Sequence, residues 1–202
     1  IFGSHLGSFD ALRVLGEVRK DVKVRVVLDV EHNAALTNFL HAFNPELARS
    51  IINARQDGTV TALAIKEALD EGALVTLLVD RARPGNQVSL VNFLGEPAPL
   101  PTGPWQIAAA LKVPVVLCFG LYRGGNRYDL HFEAFADTVR VERANREASL
   151  NAIIQRYADR LAHYTRNAPY NWFNFYDFWH LNSTPADPGS ARAADGVERR
   201  PD

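Results

Sequence analysis

Ala73-Leu74-Val75-Thr76-Leu77-Leu78-Val79-Asp80 runs through seven residues without a charge and then ends on an acid. The run is too short to cross a bilayer, and it lacks the in-out alternation of a half-buried strand. It reads as a strand covered on both faces, the kind found in parallel sheets flanked by helices. A second such run, Val113 to Tyr122, follows downstream. Between them lie a polar loop from Arg81 to Asn86, a strand from Val88 to Leu94, and a stiff connector through Gly95, Pro97, Pro99 and Pro101. Thr102-Gly103-Pro104 then opens a short helix that reaches Leu111. Gly124-Gly125-Asn126 turns the second run into a hairpin with Tyr128 to Phe135.

Upstream of the deciding stretch, Ser8 is a candidate N-cap for a helix ending between Gly16 and Lys20. Val22 to Val30 reads as a strand, and Asn33 to Phe43 as an amphipathic helix stopped by Asn44-Pro45. Asp57-Gly58 starts a helix through Val60, Leu63, Ala64 and Leu69, closed by Gly72. Downstream, Asn145 to Arg166 is a long amphipathic helix, and the aromatic block Trp172 to Trp179 follows it. Strands alternating with helices, followed by a hairpin, predict an α/β class with a mixed central sheet flanked by helices. One domain is expected over residues 1–182, with a tail lacking periodicity over 183–202.

The chain has 202 residues, 47% apolar and 22% charged, so it can bury a core of its own without staples. Its 22 basic and 23 acidic residues leave a formal charge of -1, which offers no global field for nucleic acid. Cys118 is the single cysteine, so no internal disulfide forms. The chain contains no methionine and opens at Ile1-Phe2-Gly3 as the tail of a strand. A truncated N-terminus is therefore expected, with peripheral association or an anchor in a preceding segment as the two alternatives.

The first chemical candidate is His5 with Asp10, in Gly3-Ser4-His5-Leu6-Gly7-Ser8-Phe9-Asp10. His5 leaves a strand end and Asp10 enters the next helix, so the two side chains can face each other across the corner. A carboxylate holding one imidazole nitrogen leaves the other to accept a proton from a hydroxyl. An acid at a helix start is also favoured by the dipole alone. Asp80 with Arg81 and Arg83 is the second candidate: a strand end with two guanidinium forks suited to an anionic group, or a solvated turn. Asp29, Glu31 and His32 form a third cluster without a further metal ligand at defined spacing, so capping is favoured and no metal site is expected. Arg13, Arg19, Lys20, Lys23 and Arg25 make a broken basic stretch, read either as an ordinary surface or as a patch for anionic lipid or an acidic carrier protein. The final aromatic block either closes the core through Phe173, Phe175, Phe178 and Trp179, the favoured reading, or meets a membrane interface.

The words from Gly3 to Asp10 resemble the first block of the lysophospholipid acyltransferase superfamily, a His, four residues and an acid. The match is closest to its bacterial branch of lipid A late acyltransferases. Leu77 to Arg81, Val91 to Ala98 with Leu100 to Pro104, and Ala168 to Trp179 are similar to further blocks of that branch, in order. The resemblance implies a glycerol-3-phosphate acyltransferase-like fold. It also implies acyl transfer from a thioester to a hydroxyl or amine of a lipid or glycolipid, with His5 as general base oriented by Asp10. Asp80, with Arg81 or Arg83, would line the acceptor site.

Amides after Thr102 and Gly103 would offer donors to an oxyanion; Thr102 as a plain N-cap is the other reading. No resident cofactor is expected. The donor would be an acyl carrier protein thioester or, second, a coenzyme A thioester, at the cytoplasmic face of a bacterial inner membrane. The Arg-Ala-Arg after Asp80 departs from the usual lipid A pattern and points to another acceptor. A binding module without turnover and a hydrolase using the same dyad are the rival readings.

Overall fold

A computed structural model describes residues 1–8, 22–28, 50–54, 58–82, 85–175 and 177–179. Among these residues six strands form one mixed sheet in the order β3-β2-β4-β1-β7-β8, and β5 and β6 form a separate hairpin. The strands are β1 (Phe2–Gly3), β2 (Val24–Leu28), β3 (Ile51–Asn53), β4 (Leu74–Leu78), β5 (Val88–Phe93), β6 (Glu96–Pro101), β7 (Val115–Tyr122) and β8 (Tyr128–Ala136). Three described helices accompany them: α1 (Gly58–Asp70), α2 (Gly103–Leu111) and α3 (Arg146–Asn167). The expected α/β class with a mixed sheet is what the chain adopts.

The deciding stretch becomes β4, which pairs in parallel with β1 on one side and β2 on the other. With a partner at each edge it is an interior strand, and Val75, Thr76 and Val79 are buried. β7 lies parallel to β1 on its other side, and β8 returns antiparallel through the glycine turn. The parallel register sends the C-terminal ends of β1, β4 and β7 to one edge of the sheet. That edge carries the site.

The Pro97, Pro99 and Pro101 segment corrects its reading as a connector, because it is strand β6, paired with β5. Prolines at alternate positions lack the N–H that would point away from β5, so Ala98 and Leu100 carry the ladder. The turn between the two strands puts Leu94 and Gly95 both at positive φ, the geometry a two-residue hairpin needs. The other edge of β5 is closed by α3. Asn151 donates to the Leu90 carbonyl at 2.8 Å, and Gln155 both donates to and accepts from the Asn92 main chain. Side-chain amides one helical turn apart thus stand in for a neighbouring strand.

The main core joins β1, β7, the hairpin, α2 and α3 around fully buried Trp105, Tyr157, Phe93 and Phe119. Trp105 meets the edge of Phe2 at 4.8 Å, which fixes α2 against the short strand that leads to His5. A second cluster (Ile52, Ile65, Ala68, Ala73, Val75) seats α1 on β3 and β4. The expected helices over Ser8–Lys20 and Asn33–Phe43, and the tail over 183–202, lie outside the described residues.

Candidate active site

His5 stands two residues beyond β1, and Asp80 two residues beyond β4. Their strands are neighbours in register, Phe2 opposite Leu77 and Gly3 opposite Leu78, so residues just past the ends meet across about 4.8 Å. Asp80 is fully buried, and both its oxygens are engaged by the one residue. The His5 amide donates to Oδ2 at 2.9 Å, and Nδ1 of the ring lies 2.8 Å from Oδ1. A carboxylate only accepts, so Nδ1 carries the proton of a neutral ring and Nε2 is left with its lone pair. The His5 side chain is 33% exposed, whereas that of Asp80 is 0% exposed. The carboxylate therefore sits behind the ring, and the ring faces outward.

Behind this pair, the Tyr157 hydroxyl donates to the Gly3 carbonyl at 3.1 Å. Burial first, and the negative charge of Asp80 second, hold that phenol well above its ordinary pKa, so it remains a donor. Ahead of the pair, the chain after His5 is pinned on two sides. Gly7 donates to the Asn171 carbonyl at 2.6 Å and Ser8 to the Gly120 carbonyl at 2.8 Å. Gly7 has φ +73, and a Cβ on it would overlap the Gly120 carbonyl oxygen, so only glycine fits.

The segment after α3 crosses this corner as a strap. Phe173 donates to the His5 carbonyl at 3.0 Å, Leu6 bridges Trp172, and the Asn171 side chain accepts from Tyr122 at 2.6 Å. The aromatic block splits along it. Phe178 and Trp179 pack around Phe93 as the core-closing reading expects, joined by Trp172, whereas Phe173 and Phe175 correct that reading. Phe173 and Phe175 instead stand exposed, because the main chain of the strap is fixed to the sheet and alternate side chains must point away.

The structure thus brings His5 and Asp80 together, giving Asp80 a place beside the imidazole itself. Asp10, Arg83, and the Asp29, Glu31 and His32 cluster lie outside the described residues. The Arg81 guanidinium donates to the Phe173 carbonyl, so it ties the strap to the end of β4. Thr102 takes the N-cap position of α2 without a side-chain cap. Its hydroxyl donates to the Gln87 carbonyl at 3.2 Å and accepts from Gln106. Gly103 begins α2 beside open space. Cys118 is buried in β7 with its thiol pushed up to about 12, chiefly by burial, which removes it as a nucleophile. Of the basic stretch, Lys23 and Arg25 both face Glu71.

Sequence reasoning missed the strap. The signal that pointed to it was Asn171 and Asn174, two amides set among rings, which a purely core-closing segment has no use for. No helix among the described residues is long and apolar enough to cross a membrane.

No curated protein matches the chain. The bacterial lipid A biosynthesis acyltransferase family matches residues 18–180, a stretch that begins after His5 and Asp10 and includes Asp80, Thr102, Gly103 and the strap. With most of its length matched, and with an α/β sheet consistent with that fold, the chain belongs to the bacterial lipid A biosynthesis acyltransferase family.

Proposed function

We propose that this chain transfers a fatty or related acyl group from a thioester donor to a hydroxyl or amine of a lipid or glycolipid acceptor. Membership of an acyltransferase family gives the reaction class. The observation that carries the mechanism is the His5–Asp80 pair, with a buried carboxylate on Nδ1 and an exposed ring edge. His5 Nε2 takes the proton from the acceptor O–H or N–H while the heteroatom attacks the thioester carbonyl. The resulting oxyanion collapses, the C–S bond breaks, and the leaving thiolate recovers the proton from the imidazolium. No acyl-enzyme forms, in keeping with the buried, protonated Cys118. Asp80 holds the tautomer and pairs with the charge that develops on the ring.

Asp10, the acid of the His-x4-Asp pattern, is assigned with Asp80 to orienting His5, and the Asp10→Asn variant tests its share. Arg81 and Arg83 are assigned to an anionic group of the acceptor, and Thr102 and Gly103 to the substrate side at the start of α2. The donor is an acyl carrier protein thioester ahead of coenzyme A, and the chain works at the cytoplasmic face of a bacterial inner membrane, peripherally or through a segment beyond this chain.

The test is an assay with labelled acyl carrier thioesters and total bacterial lipid extract, comparing wild type with His5→Ala. Labelled lipid from the wild type, absent with His5→Ala, is the expected result. Labelled free acid without acylated lipid would make the chain a hydrolase. Turnover unaffected by the loss of His5 would end this mechanism.

A further inference from the structure

The edge of the sheet that holds His5 also carries a rim of exposed rings. Tyr170 is 96%, Phe175 90% and Phe173 47% exposed, all within the strap, while Tyr122 and Tyr128 stand exposed 5.4 Å apart at the hairpin end of β7 and β8. We propose that this rim is a docking surface for an anionic lipid bilayer, seating the mouth of the His5 site against the membrane. The proposal rests on the acyl-transfer reading, because that reading gives the acceptor a lipid body.

Three observations favour a bilayer as the occupant. The rim is continuous with the site: Phe173 hydrogen-bonds the His5 carbonyl, and Tyr122 the strap's Asn171. The strap rings protrude from one short segment with their faces largely uncovered, and Phe173 and Phe175 are 6.4 Å apart, a ridge that enters a soft surface more readily than it fits a rigid one. Charge agrees as well. The same edge carries Arg81, Arg127 and Arg166 and the Arg123–Asp129 ion pair, 2.7 Å apart, against Asp177, with Asp80 buried beneath His5. Rings flanked by arginines are the combination that anchors interfacial segments to anionic headgroups.

The experiment is cosedimentation of this chain with vesicles of about seven parts phosphatidylcholine to three of phosphatidylglycerol. The wild type is expected to bind, and Tyr170→Ala/Phe175→Ala to lower the partition about tenfold or more while keeping the wild-type unfolding midpoint. Phe175→Trp is expected to retain binding and to shift its fluorescence to the blue when vesicles are added. Equal partition of wild type and double variant, or no binding by the wild type, would overturn the proposal. So would a double variant that keeps the vesicles but loses acyl carrier protein, since the rim would then be a protein interface. Sedimentation needs no turnover, so a chain that docks through the rim yet transfers no acyl group refutes the proposed reaction and not the surface.

Discussion

Replacing Asp80 by asparagine keeps the shape of the side chain and removes its charge. The native carboxylate accepts twice from one residue, from the His5 amide at 2.9 Å and from Nδ1 at 2.8 Å. An asparagine at this position has one acceptor and one donor end. With its oxygen on the His5 amide, its NH2 group faces Nδ1, and the ring must present a lone pair there. The proton then moves to Nε2, and the atom that should take the acceptor's proton already holds one. The wrong tautomer in a comparable dyad costs about 10³–10⁴ in rate, or roughly 4–5 kcal/mol of barrier. Stability is expected to change far less, by about 1–3 kcal/mol, since one charge-assisted hydrogen bond is weakened at an isosteric site. The assay is release of thiol from an acyl thioester with bacterial lipid extract, run beside urea unfolding and beside Asp10→Asn. An Asp80→Asn protein that folds and turns over within threefold of wild type, while Asp10→Asn is inactive, would refute the reasoning and return the orienting role to Asp10.

Gly7→Ala is expected to destabilise the fold by about 2–5 kcal/mol in urea unfolding. It adds left-handed strain at φ +73 to a Cβ placed 2.7 Å from the Gly120 carbonyl carbon. Cys118, with its thiol pushed up to about 12, is expected to resist iodoacetamide at pH 8 in the folded chain and to react quickly in guanidinium; fast labelling of the native protein would contradict its burial in β7. Glu133, held below the ordinary carboxylate range first by its hydrogen bonds to Arg160 and helped by Tyr164, contributes stability that is present above about pH 4.5 and lost as the pH falls through its lowered folded pKa. Glu133→Gln is therefore expected to flatten the acid limb of the stability profile, and an unchanged limb would remove the pair from the account.

Much of the site is legible in the sequence, but the contact between His5 and Asp80 is not. His5 and Asp80 each carried a local signal, a polar residue at the end of an apolar run, and each was singled out for it. The prolines of β6 misled because alternate prolines look like a connector until a partner strand shows that the missing donors face outward. The aromatic block was read as one unit, although its rings divide between the Phe93 cluster and the exposed rim according to how the strap main chain is bonded.

Hydrophobic run length, turn chemistry and helical periodicity determined the elements and the α/β class, since these are local properties of the chain. What only the tertiary structure decided is that Asp80 meets the imidazole. Asp10, four intervening residues from His5, is a partner that spacing alone offers and lies outside the described residues, whereas Asp80 lies 75 residues away and no spacing offers it. Strand pairing removes that distance: β4 lies beside β1 in register, so the first polar groups past the two strand ends fall within hydrogen-bonding reach. The nearest neighbour across a parallel sheet is fixed by strand order, which no local pattern records.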